Sequence, residues 1–136
     1  MYSAKVLDHF HRPRHVGEVA QASAAVEVTN PVCGDVLRLS AAVSGEMIVE
    51  AKFKAAGCIP VVACGSWVTA SILAKPLNSL RPVFSSEIEA ALDGLPPASK
   101  HASALAAEAL KQLMEKLTKT ETRDKRREAR DERRLR

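Results

Sequence analysis

From Pro60 to Leu73 the chain is apolar on nearly every side of a helix, so this segment has to be buried rather than laid along a surface. Pro60 suits the first helical position, because its missing N–H would be unpaired there anyway. Everything else in a 136-residue chain must supply the cover for that helix, which limits the molecule to one ordinary domain with one core. Only five aromatic residues occur (Tyr2, Phe10, Phe53, Trp67 and Phe84), so the core is expected to be mostly Val, Leu, Ile and Ala.

The cover is legible on both sides of this segment. Residues Ala25 to Thr29 alternate, and so do Val36 to Val43, with Leu37, Leu39, Ala41 and Val43 opposite Arg38 and Ser40. Ser44-Gly45-Glu46 supplies a turn, and the next run sets Val49, Ala51 and Phe53 against Glu50, Lys52 and Lys54. This pattern predicts a small antiparallel sheet with one wet face. Val6, Leu7 and Phe10 predict a short N-terminal helix over Tyr2 to Phe10, ended by Arg12-Pro13-Arg14. Ser86 with Glu89 predicts a capping box for a short helix to Leu92, stopped by Gly94 and Pro96-Pro97. From His101, the stripe Ala102, Leu105, Ala109, Leu113 and Leu117 predicts a long helix packed on the sheet.

The net charge is confined to the end of the chain. Residues 119–136 hold nine basic and five acidic residues, which leaves eleven of each sign elsewhere, so the body is neutral. We expect a domain over residues 1–117 and a charged, Arg-rich tail or helix extension over 118–136. Interleaved acids and the lack of a basic face argue against nucleic-acid binding. No apolar run reaches a membrane span and the N-terminus lacks a signal-type apolar core, which points to a cytoplasmic protein. Three cysteines without an export signal are expected to stay reduced.

Two of those thiols sit in turns. Gly34 lets the backbone reverse after Cys33, which can bring the Cys33 thiolate and the Asp35 carboxylate toward one small volume. Cys58 precedes the buried helix, where the positive end of the helix dipole favours its thiolate. With His101 beside both loops, two sulfurs, one imidazole and one carboxylate suit tetrahedral zinc or iron in a sulfide cluster, and the donor set does not distinguish the two. Each residue alone has a structural reading: cysteine packs well, Asp35 can close an Asx-type turn, and His101 can cap a helix. Cys64 lies about 240° round the helix from Cys58 at ~100° per residue, which favours a packing role. His9, His11 and His15 are expected on the surface.

The segments Tyr2-Ser3-Ala4-Lys5-Val6-Leu7-Asp8-His9-Phe10, Arg12-Pro13-Arg14, Val16-Gly17, Cys33-Gly34-Asp35, Gly57-Cys58 and Leu95-Pro96-Pro97 with His101 resemble the U-type iron-sulfur cluster assembly scaffolds, IscU and the N-terminal domain of NifU. The resemblance implies an α+β fold, a three-stranded antiparallel sheet with helices mainly on one face. It also implies a non-enzymatic scaffold or carrier, possible as a homodimer, that builds a transient [2Fe-2S] cluster from iron and from sulfur delivered by a cysteine desulfurase, then passes it to acceptor proteins. Cys33 and Cys58 would be ligands, Asp35 the carboxylate that keeps the cluster labile, and His101 a further site residue.

Two positions depart from the family pattern. Ala102 stands where the family usually has a third cysteine, which leaves Cys64 as a conditional replacement ligand, and the chaperone-recognition motif is altered to Leu95-Pro96-Pro97-Ala98-Ser99. The spacing from Cys58 to His101 leaves no room for the insertion of the zinc-dependent SufU branch. The alternatives are a zinc-bound persulfide acceptor and a desulfurase-binding adaptor that has lost assembly.

Overall fold

The computed structural model describes residues 2–134, with side chains through Lys119. The elements run α1 (Ala4–His11), β1 (Ala24–Thr29), β2 (Val36–Ser44), β3 (Met47–Ala56), α2 (Ile59–Ile72), α3 (Ser85–Ala91) and α4 (Lys100–Arg134), with 3-10 turns at Leu77–Ser79 and Pro97–Ser99. The strands form one antiparallel sheet in the order β1-β2-β3. Helices α2 and α4 close one face of it, so the α+β expectation holds.

The sheet is a meander whose inward residues meet in register. Leu39 pairs with Val26 and Phe53, and Ala41 with Ala24 and Ala51. Gly45 and Glu46 both have positive φ (56° and 71°), the backbone of a tight two-residue reversal whose twist matches the strands it joins. The alternation expected in β3 fails at one place. A bulge pairs Ala42 with Glu50 but Val43 with Ile48, so Val49 has no cross-strand partner. The extra residue inverts the pattern: Ile48 is fully buried while Val49 is 52% exposed.

Helix α2 lies so close to the sheet that a Cβ at Gly65 would come within 2.6 Å of the Phe53 ring and 2.9 Å of Leu37. No other residue type fits that approach without movement. Around it, Val61, Ala63, Cys64, Val68 and Ile72 are buried, as the unbroken apolar pattern requires. α4 contributes Ala102, Leu105, Ala109, Leu113 and Leu117 as expected, and adds Ala106 and Leu110. Its backbone continues without a break past Leu117; the side chains of the expected tail beyond Lys119 lie outside the described residues.

Three local expectations are corrected. α3 starts two residues early, with Phe84 rather than Ser86 as N-cap and its N–H donating to the Glu87 carboxylate; Glu89 instead accepts from Ser103 of α4 at 2.8 Å. The outer sheet face is partly covered, because the Val19 N–H donates to buried Ser40 and Arg38 pairs with Glu18. His9 is half-buried rather than a surface residue: its Nδ1 lies 2.8 Å from the buried Ser66 hydroxyl, which also accepts the Arg14 N–H. Burial, then Arg14, hold His9 below its ordinary pKa, which favours the neutral imidazole in this contact.

Candidate metal centre

The loop between β1 and β2 is organised by Asn30. Its side-chain oxygen accepts the N–H groups of Val32 (2.9 Å) and Cys33 (3.4 Å), its carbonyl accepts from Gly34, and its own N–H donates to the Asp35 carbonyl. Gly34 completes the reversal at φ 77°. Asn-Pro is a turn-initiating pair, so the role of Asn30, which is not among the candidate ligands, is written in the sequence. The loop leaves Cys33 exposed and turns Asp35 inward, where it is 8% exposed.

Gly57 makes room for that carboxylate. At φ 152° it adopts a backbone that L residues rarely take, and a Cβ there would collide with Asp35 Oδ1 and Cγ. Cys58 follows as the N-cap of α2. His101 enters from the first turn of α4, whose position is fixed by packing on the sheet.

These elements bring four of the five candidate ligands together. Cys58 Sγ lies 3.3 Å from Asp35 Oδ2 and 3.7 Å from His101 Nε2, and His101 Nε2 is 3.1 Å from Asp35 Oδ2. The Cys33 thiol joins the same carboxylate and imidazole, all three ligand atoms lying within 4.8 Å of one another. Metal bonds of about 2.0–2.3 Å at tetrahedral angles separate ligand atoms by roughly 3.3–3.8 Å. The spacings of 3.1 to 3.7 Å around Asp35, Cys58 and His101 lie close to that shell, and Cys33 reaches the same carboxylate and imidazole at a looser distance.

The tautomer of His101 also suits a cation. Nδ1 lies 3.1 Å from the Ala98 carbonyl, which can only accept, so Nδ1 carries a proton. The second nitrogen, Nε2, faces Asp35 at 3.1 Å, a contact that holds a proton between the two groups in the metal-free protein and that a metal ion would replace.

Protonation follows from the same contacts. For Asp35, burial is the largest single influence and raises the pKa, but hydrogen bonds from Cys58, His101 and Cys33 together outweigh it and hold the carboxyl below its ordinary value. Burial pushes the Cys58 thiol up; the Val61 N–H opposes this, and the hydrogen bond and charge of Asp35 add to the rise. The expected thiolate at the helix start is therefore corrected. Without a metal, Cys58 is a thiol donating to Asp35, because a neighbouring carboxylate and lost hydration outweigh the helix end.

Cys64 does not join the other four. It is fully buried in the core, and burial drives its thiol up to about 12. Ala102, beside His101 in sequence, is also buried and belongs to the core.

Comparison with known proteins follows the same lines. Residues 1–124 match the family profile of the NifU-like N terminal domain. The chain is 38% identical over 111 residues to the iron-sulfur cluster assembly scaffold protein IscU 1 of Archaeoglobus fulgidus, covering 82% of this chain and 72% of the relative. It is 39% identical over 114 residues to the Escherichia coli scaffold protein IscU, covering 81% and 88%. A crystal structure of a NifU-like N-terminal protein from Brucella abortus superposes with a TM-score of 0.68 at 14% identity, over 86% of this chain and 94% of that one, which is a likeness of fold. Profile, relatives and fold agree: the chain belongs to the NifU-like N-terminal domain family.

Proposed function

We propose that this protein is a scaffold for iron-sulfur cluster assembly, with Cys33, Asp35, Cys58 and His101 as the ligands of a transient [2Fe-2S] cluster. The observation that carries the reading is the convergence of two thiols on one carboxylate and one imidazole nitrogen at the end of the sheet. The names of the relatives agree with it. The cluster is cargo. Iron enters at this set, a cysteine desulfurase delivers persulfide-level sulfur that an external two-electron donor reduces to sulfide, and the product passes to acceptor proteins, so the chain turns over no substrate of its own.

The residues divide the work by exposure. Cys33, on an exposed loop, is accessible to a sulfur donor. Asp35 is inward and held ionised, and its oxygen bond to iron is harder and more exchangeable than a thiolate bond, which favours release. The Ala98 carbonyl holds Nδ1 of His101, which leaves Nε2 as the nitrogen facing the site. A neighbouring reading, a zinc-bound persulfide acceptor, uses the same four groups and differs in what the cell loads.

One experiment tests both. The full chain is reconstituted anaerobically with iron, cysteine, a desulfurase and a dithiol reductant that converts persulfide sulfur to sulfide, then assayed for iron, zinc and acid-labile sulfide. Visible cluster absorption that Cys33→Ala and Cys58→Ala abolish supports the scaffold. Retained zinc, no sulfide and a persulfide mass shift support the alternative, and binding of the desulfurase without any metal leaves only an adaptor.

A further inference from the structure

Away from the ligand set, two clefts flank the segment 80–83 that links α2 to α3. One, of about 470 Å³, has Ile72, Leu80, Val83 and Leu110 among its lining, with Trp67 and Lys75 beside them. The other, of about 380 Å³, lies along the outer side of α4 between Pro82 and Met114, with Lys111 and Lys119 at its edge. Both volumes fall in the range of real ligand pockets, roughly 300–1,000 Å³. Phe84, next in the chain, is 71% exposed.

The charges at this face are not balanced. In the first cleft Arg81 is bound through two nitrogens by Glu87 (3.1 and 2.7 Å), which neutralises both. Lys75, Lys111 and Lys119 form no salt bridge with any described residue, and Glu115 is the remaining carboxylate of the two linings. Apolar floors with Trp and Met, rimmed by cations that have no salt-bridge partner among the described residues, have the composition of a protein-recognition surface rather than of a solvated face.

We propose that these two clefts form a docking surface for an acidic amphipathic segment of a partner protein, which places aliphatic or aromatic side chains in the clefts and carboxylates against Lys75, Lys111 and Lys119. The surface is separate from the ligand set. Trp67 lies nine residues along α2 from Cys58, and Leu110 nine along α4 from His101, each about 14 Å at 1.5 Å per residue. A partner held here leaves the metal end open. The proposal does not depend on what that end carries.

The test is selection of a random 12-residue peptide display library on the full-length chain. The best tryptophan-free peptide is then titrated against the emission of Trp67, the sole tryptophan. Enriched peptides are expected to combine Asp or Glu with Leu, Ile, Phe or Met, to shift Trp67 emission saturably, and to bind at least tenfold more weakly to Lys75→Glu/Lys111→Glu. Both lysines are exposed, and circular dichroism confirms the fold of the variant. Cobalt binding at the cysteines should be unchanged in that variant, which separates this surface from the scaffold reading. No enrichment, enrichment of acids without apolar positions, competition by cobalt, or equal affinity for the variant overturns the proposal.

Discussion

Gly57→Ala should damage metal binding without touching a ligand. The added Cβ would collide with the Asp35 carboxylate and sit 3.0 Å from its Cβ, on a backbone at φ 152°. Strain at such a position costs about 1–3 kcal/mol. Swinging Asp35 away also weakens its bonds to Cys58 and His101, each of a kind worth about 1.5–3 kcal/mol when charged. Since the carboxylate can move part of the way, we expect about 2–4 kcal/mol lost in urea unfolding of the metal-free protein. Misplacing one of the four proposed ligands should lower affinity for cobalt or zinc by about 10–100-fold, the usual range for disturbed support of a metal site. The assay is competition with a chelator, followed by the tetrahedral cobalt-thiolate spectrum. In an Asp35→Ala background the collision with the carboxylate is gone, so the Gly57→Ala effect on affinity should shrink to within threefold. An unchanged affinity in the single variant, or full additivity in the double, would refute the reasoning.

Other outcomes are checkable in the same preparations. Gly65→Ala gains about 1 kcal/mol of helix propensity but forces Phe53 or Leu37 to move, at about 1–3 kcal/mol, so denaturant titration should show a net loss of roughly 0–2 kcal/mol. Native alkylation should label Cys33 first, Cys58 slowly and Cys64 only on unfolding, with Cys64→Ser costing about 1–3 kcal/mol while cobalt binding is retained. Metal affinity should rise with pH, because loading must displace the proton that the raised Cys58 thiol holds. For the metal-free fold the sign differs by group. The lowered carboxyl of Asp35 stabilises above its ordinary value of 3.8, and this is lost as pH falls through the depressed value. The raised Cys58 thiol stabilises below its ordinary value of 9.0 and loses that contribution as pH rises through the folded value.

What the sequence determined by itself was periodic or local. Alternation named the three strands, the all-round apolar run named α2, and the stripe from Ala102 to Leu117 named the packed side of α4, because burial on a regular backbone repeats at a fixed interval. Cys33, Asp35, Cys58 and His101 were readable as candidates since turns and helix starts are written in neighbouring residues. Tertiary structure decided the rest. One unpaired residue, Val49, reversed the inward face at the start of β3, and nothing in the alternation itself announced it. The burial of His9 depends on Ser66, 57 residues away. Cys58 is a thiol because Asp35 arrives from another loop, although its local position alone favours the thiolate. Titration and ligation are set by groups within a few ångströms in space, and the packing of α2 and α4 on the sheet determines which groups those are.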